Sequence, residues 1–275
     1  MEEKKVVITD LDGTLLDENY EWKKAEKELK ELKKRKVPVV FCSAKTREEQ
    51  RELRSEMEVN DPYIVEDGSA VVIPESCELI EVVNKLKDFT DLVKKVREDE
   101  KNREVLLVLG DSYEVIVKYL RELKERGAER LRFYAAISED EVSRVTGLSR
   151  EKAKLAKERE FSETLVEWGD EELDAIRRKF NVEVGGRFAH VYGKEADKGK
   201  AVEVLKRLYR KAGYDVWTLG IGNHYTDIPM LKAVEQPAIV KNPDGWIDVE
   251  IPKLYKAKGI ATEGWVEVVR KFLLD

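Results

Sequence analysis

The 275-residue sequence predicts an α/β protein: a doubly wound parallel sheet that carries an inserted α+β module. Three patterns point there. From the start of the chain to Pro74, short β-branched runs alternate with charged helical stretches. From roughly Cys77 to His190, helices are interspersed with extended segments suited to antiparallel pairing. After Gly193 the first alternation returns, so a core of residues 1–80 and 193–275 is expected around an insertion of 81–192.

Taken in order, KKVVITDLDG is an apolar run broken by turn residues, which predicts a buried strand ending at Asp10. Apolar positions at Trp22, Ala25, Leu29 and Leu32 recur at helical spacing between Tyr20 and Lys36. VPVVFCSAKT predicts a second buried strand, and a charged helix follows from near Thr46. PYIVEDGSAVVIP reads as a third strand, a turn at Asp67-Gly68, and a hairpin partner. In the insertion, helices are expected over Phe89–Asn102, Ser112–Gly127, Ser138–Thr146 and Glu171–Phe180. Strands are expected there over Val105–Leu109, Leu131–Ala136, Glu160–Trp168 and Val182–Tyr192. Helix Lys198–Ala212, strand VWTLGIG, helix Asp227–Val234, strand PAIVKN and a last helix from Gly264 complete the core. The chain shows no internal repeat and no low-complexity linker.

Composition narrows the function. Charged residues make up 39% of the chain and the net charge is −6, with Lys and Glu interspersed. Without a concentrated basic block, nucleic acid and an anionic membrane are excluded as main partners. No apolar stretch approaches the ~20 residues that span a bilayer, and no signal-peptide pattern is present. Cys42 and Cys77 match neither a disulfide framework nor a metal-ligand spacing, which fits a reducing cytoplasm. Gln occurs only at positions 50 and 236 while Glu, Lys and Arg abound, a bias associated with hot environments. Nothing in the sequence sets an oligomeric state.

The chemistry sits at predicted strand ends, where open parallel sheets bind ligands. DLDGT puts Asp10 and Asp12 on the loop leaving the first strand, so that one carboxylate can attack phosphorus while the other handles the leaving-group proton. Ser43 in FCSAKT ends the second strand, with a hydroxyl suited to a phosphoryl oxygen. Lys198 opens a helix in ADKGKA, where the helix dipole disfavours a cation, so a role in countering phosphoryl charge is indicated. GIGNHYTDIPML brings Asn223 and Asp227 to the fourth loop, with oxygens of the kind magnesium takes; His224 beside them could be a ligand, a base or neither. Each position has a plainer reading, as a capping aspartate, a turn serine or a solvated lysine. Four such coincidences on one sheet edge point instead to a phosphate site.

These segments resemble the four motifs of the haloacid dehalogenase-like phosphatases: DLDGTL, FCSAKT, ADKGKA and GIGNHYTD, in the family's order and spacing. The resemblance covers essentially the whole chain. It implies a Rossmann-like core, with the long insertion as the large α+β cap of one subgroup. Within that subgroup, CSAKTREEQ, PYIVEDGSAVVIP, EREFSETLVEW and GGRFAHVYG are similar to the mannosyl-3-phosphoglycerate phosphatases. The resemblance implies Asp10 as nucleophile and magnesium ligand, and Asp12 as general acid and then base, offering its carbonyl to the metal. It implies Ser43 and Lys198 as holders of the phosphoryl oxygens, Asn223 as a metal position, and Asp227 as a metal position or a support for Lys198. Lys45, Arg159, Ser162, Glu163, Thr164, Arg187 and His190 would meet the sugar and glycerate parts. Arg187 suits a carboxylate through its two-pronged guanidinium.

The fourth motif usually begins Gly-Asp; here Asn223 stands in place of that aspartate, which removes one negative charge from the metal site. Thr226 and Asp67 replace asparagines usual in the family. A mannosyl- or glucosyl-3-phosphoglycerate phosphatase with Mg2+ is therefore the leading expectation. A broader sugar-phosphate phosphatase, a phosphomutase, or a non-catalytic phospho-ligand binder remain as alternatives.

Overall fold

The computed structural model describes residues 2–85 and 93–275. β1 (Glu2–Thr9) leads through a 3-10 turn into α1 (Glu26–Lys34), then β2 (Val39–Phe41) and α2 (Arg47–Glu56). Thr46 caps α2 in a reciprocal capping box with Glu49. β3 (Tyr63–Val65) and β4 (Ala70–Pro74) follow, joined by the Glu66–Gly68 turn, then α3 (Ile80–Lys85), β5 (Lys95–Asp99) and β6 (Glu104–Val108). The next stretch holds α4 (Tyr113–Glu125), β7 (Arg132–Phe133), α5 (Glu139–Thr146), α6 (Arg150–Lys157) and β8 (Ser162–Glu167). After α7 (Asp170–Arg177), β9 (Phe180–Gly185) and β10 (Phe188–Gly193), the chain returns through α8 (Lys198–Lys211), β11 (Tyr214–Gly222), α9 (Ile228–Ala233), β12 (Gln236–Lys241), β13 (Tyr255–Ile260) and α10 (Ala261–Val269).

The central sheet runs β13-β12-β11-β1-β2, parallel throughout. Alternation along β1 explains its double winding. Val6 and Ile8 pack on one face with Leu205 and Leu208 of α8, and Val7 packs on the other with Leu29 and Leu32 of α1 and Trp265 of α10. Both faces are thus apolar, and polar chemistry is confined to the strand ends.

Two antiparallel sheets flank this core. The first, β3-β4-β6-β5, joins the central sheet through one parallel bridge between Cys42 and Ile64. The second, β7-β8-β10-β9, packs against α4 and α7 through Ile116, Leu120, Leu165, Leu173, Ile176 and Ala189. Because β5 and β6 pair with β4, residues 95–108 belong to a sheet that starts before residue 80. We propose crossings near residues 110 and 193, rather than 80 and 192, as the limits of the insertion.

Three local expectations are corrected. The helix expected over Phe89–Asn102 is a strand, β5, over Lys95–Asp99; residues 89–92 lie outside the described residues. Its KVRED sequence suits a solvated helix face or an edge strand equally. Pairing with β6, and the ion pairs from Asp99 to Arg47 and from Arg97 to Glu160, select the strand. Val182–Tyr192 is a hairpin rather than one strand: the chain reverses at Gly185–Arg187, with Gly186 at φ +59°. Of Leu131–Ala136, only two residues are extended before a 3-10 turn.

Candidate active site

Asp10 leaves β1 at the carboxyl edge of the sheet, its N–H bonded to the Ile221 carbonyl of β11 (2.9 Å). Lys198, the first residue of α8, donates from Nζ to Asp10 Oδ1 (2.9 Å) and to Asp227 Oδ1 (2.7 Å). All three side chains are buried. The cation misplaced for the helix dipole is therefore held by two carboxylates that outweigh that dipole. Burial alone would push the Lys198 ammonium down, but Asp10 and Asp227 hold its pKa well above the ordinary value. Burial, reinforced by Asp227, raises Asp10 to about 7 against the pull of Lys198.

The two oxygens of Asp10 are unequal. Oδ1 is taken by Lys198, whereas Oδ2 has only a 3.4 Å contact from the Thr14 hydroxyl. Asp12 stands on the same loop with a side chain 48% exposed, paired to Lys45 Nζ at 3.0 Å. Ser43, at the end of β2, is buried; its carbonyl accepts the Asp67 N–H and its Oγ accepts the Lys45 N–H (3.3 Å). The turn after β3 closes the site from behind. Gly68, at φ +88°, lies against the Asp197 and Lys198 backbone so closely that a Cβ would collide with it.

In the fourth loop Asp227 accepts three hydrogen bonds. Its Oδ1 serves Lys198, and its Oδ2 accepts the N–H groups of Asn223 (3.0 Å) and His224 (3.1 Å). Asp227 thus fixes both the loop and the lysine. Asn223 Oδ1 accepts from Thr14 Oγ1 at 3.1 Å, the same hydroxyl that approaches Asp10 Oδ2. His224 spends its Nδ1 on the Thr226 N–H and lies edge-on to Tyr225. No three His, Cys, Asp or Glu residues converge as a metal cage among the described residues. An oxygen of the kind a hard cation takes nonetheless stands beside the carboxylate, since Asn223 Oδ1 and Asp10 share the Thr14 hydroxyl.

The residues expected to touch substrate divide. Arg159 donates through Nε and Nη2 to Ser162 Oγ (3.0 and 2.9 Å) and through Nη2 to the Ala44 carbonyl (2.8 Å), beside Ser43. Ser162 Oγ donates to Glu66 Oε2 (2.6 Å), and Glu66 also accepts the N–H groups of Glu160 and Phe161. Arg159 and Ser162 thus bind the insertion to the second-motif loop. Glu163 accepts from Tyr113, the Ala135 N–H and the Thr164 N–H, and burial raises its pKa. Thr164 Oγ1 lies 3.4 Å from His190 Nδ1. Burial first, then the charges of Arg159 and Lys198, pushes His190 down to about 3, so the ring is neutral and within electrostatic reach of the core cluster. Arg187 is exposed at the β9–β10 turn, where it donates to the Thr146 carbonyl (3.4 Å). No contact joins it to the Asp10 cluster.

Sequence reasoning missed Thr14, Glu66 and Asn242. Thr14 lay inside the DLDGT motif, and Glu66 stands beside the predicted Asp67-Gly68 turn with its own φ at +47°. Asn242 is half of an Asn-Pro pair at a strand end, a turn signal at the right sheet edge.

The sequence profile described as haloacid dehalogenase-like hydrolase matches residues 7–245. A Persephonella marina protein named glucosyl-3-phosphoglycerate/mannosyl-3-phosphoglycerate phosphatase is 32% identical, over 98% of this chain and 97% of its own. A Pyrococcus furiosus mannosyl-3-phosphoglycerate phosphatase is 37% identical over 84% of this chain and 88% of its own. A solved haloacid dehalogenase-like hydrolase from Bacteroides thetaiotaomicron superposes with TM-score 0.64 at 16% identity, covering 98% of this chain and all of that one; it speaks for the fold alone. With the profile spanning the strand-end loops that assemble Asp10, Ser43, Lys198 and Asp227, the chain belongs to the haloacid dehalogenase-like hydrolase family.

Proposed function

We propose that the chain is a magnesium-dependent phosphomonoester hydrolase that forms an aspartyl-phosphate on Asp10 and releases a glycosylglycerate from mannosyl- or glucosyl-3-phosphoglycerate. The observation that carries the reaction is the inequality of the Asp10 oxygens: Lys198 orients the carboxylate through Oδ1 and leaves Oδ2 for attack. In the first step Oδ2 bonds to phosphorus, the ester P–O bond breaks, and Asp12 protonates the leaving oxygen. In the second, Asp12 takes a proton from water, whose oxygen displaces Asp10 from phosphorus and yields inorganic phosphate. Splitting one difficult displacement into two lowers each barrier. Lys198 and the Ser43 hydroxyl hold the phosphoryl oxygens in both steps. Bound at Asp10, Asn223 and the Asp12 carbonyl, Mg2+ would neutralise phosphoryl charge. The substrate assignment is supported by the names of the relatives. Lys45 and neutral His190 beside Thr164 supply polar groups for the sugar and glycerate.

The test is phosphate release from both glycerate esters with Mg2+, with EDTA, and in Asp10→Asn. Metal-dependent release that falls at least about a thousandfold in the variant is expected. Turnover of generic sugar phosphates with neither glycerate ester would keep the reaction and discard the substrate. Asn223 favours a second reading, a sensor that holds the phosphate ester without hydrolysing it. Calorimetry showing ester binding by wild-type protein without phosphate release would establish that reading instead.

A further inference from the structure

The amide of Asn223 has an oxygen that can ligate a cation and an NH2 group that repels one. Thr14 cannot choose between them, because a hydroxyl both donates and accepts. Asp10 favours the wrong end, since its carboxylate Oδ2 would attract the NH2. The choice is made on the other side of the loop. Asn242 Nδ2 donates to the Asn223 backbone carbonyl at 2.9 Å, and a carbonyl only accepts, so the Asn242 amide has one permitted orientation. Its Oδ1 must then face the Asn223 side chain, where it accepts from Nδ2 at 2.9 Å. Asn223 Oδ1 is left turned toward the Thr14 hydroxyl, which also approaches Asp10 Oδ2. The clamp is itself anchored: Asn242 and Gly245 exchange both backbone hydrogen bonds (2.8 and 3.0 Å) at the end of β12, with Gly245 at φ +124°. On the other flank Gly13, at φ +72°, lets the amide lie close; a Cβ there would sit 2.5 Å from Asn223 Nδ2.

We propose that Asn242 is a positioning residue that turns the Asn223 amide oxygen toward Asp10 and so makes a neutral side chain a cation ligand. The inference rests on the magnesium reading above. A carboxylate at position 223 would present oxygen in either rotation and would need no such clamp.

The experiment is a double-mutant cycle on the whole protein, read by calorimetric titration with Mg2+ alone and by melting temperature. Asn242→Ala in the natural background is expected to weaken Mg2+ binding roughly tenfold or more, as loss of a residue that orients a ligand does. Asn223→Asp is expected to bind Mg2+ more tightly than wild type. Adding Asn242→Ala to Asn223→Asp is then expected to lose little affinity. Equal losses in both backgrounds would reduce Asn242 to a structural residue and overturn the proposal, as would an unchanged affinity in folded Asn242→Ala. Asn242→Ser, compatible with the same turn, replaces Asn242→Ala in the cycle should that variant not fold. Wild-type protein that binds no Mg2+ would instead remove the magnesium reading, and this inference with it.

Discussion

At the carboxyl edge of the central sheet, Lys198 bridges Asp10 and Asp227 and leaves one Asp10 oxygen with a single long contact. At the seam with the insertion, Glu66 receives three donors, Arg159 spends its guanidinium on Ser162 and Ala44, and Arg47 reaches Asp99 and Glu160. Both clusters are largely buried and built from acids and bases. The seam satisfies its members, whereas the sheet edge keeps capacity in reserve. Availability for chemistry therefore follows from what a residue's neighbours leave unused, and residue type does not reveal it. A buried ionic group held without reserve is structural, and breaking it should appear in stability before it appears in substrate affinity.

The comparison is tested most severely at Lys198. Lys198→Ala leaves Asp10 and Asp227 buried and facing each other without a cation, so we expect a loss of about 3–5 kcal/mol in urea unfolding together with loss of phosphate release. A variant as stable as wild type would place the sheet-edge lysine outside the folding balance altogether.

Arg159→Ala should come next, at about 3 kcal/mol, with a fall in kcat as the Ala44–Ser43 loop loosens and little change in KM. An unchanged melting curve with a tenfold higher KM would reverse the assignment and return Arg159 to the substrate.

His190 sharpens the comparison through pH. Its folded pKa, about 3, lies below the ordinary value of 6.5, so between those values the unfolded chain binds the extra proton. Stability from this group is complete above pH 6.5 and declines as pH falls toward 3. Melting temperatures of His190→Gln should therefore drop less between pH 7 and pH 5 than those of wild type. Parallel curves would mean that the ring is protonated in the folded protein.

The smallest effect is expected at Arg187, exposed on the β9–β10 turn. Arg187→Ala should change stability by no more than about 0.5 kcal/mol and leave KM for the glycerate ester near its original value. A marked rise in KM would show that the turn reaches the glycerate carboxylate and would bring Arg187 to the site's side of the comparison.

Much of the candidate site's placement was legible because its signals are local. A strand that ends in Asp-x-Asp-Gly-Thr, a serine closing the next strand, and a lysine opposing its helix dipole are each visible within a few residues. The parallel sheet then brings strand ends together without further information. The seam was not legible. Arg159 in the EREFSETLVEW stretch carries the same guanidinium whether it meets a substrate or the Ala44 carbonyl, 115 positions away. β5 reads as a helix because a run of charges satisfies either element, and only β6 beside it decides.

By itself the sequence determined the fold class, the alternating apolar runs that wind the sheet, and the four loops carrying Asp10, Asp12, Ser43, Lys198, Asn223 and Asp227. Only the tertiary structure decided which polar groups keep an unused valence. It committed Asp227 to Lys198 and the loop amides, Arg159 and Ser162 to the seam, and Asn223 to one rotation through Asn242. The physical reason is that a hydrogen bond between residues remote in the chain depends on where the folded backbone brings them, and the identity of the two residues does not encode that position.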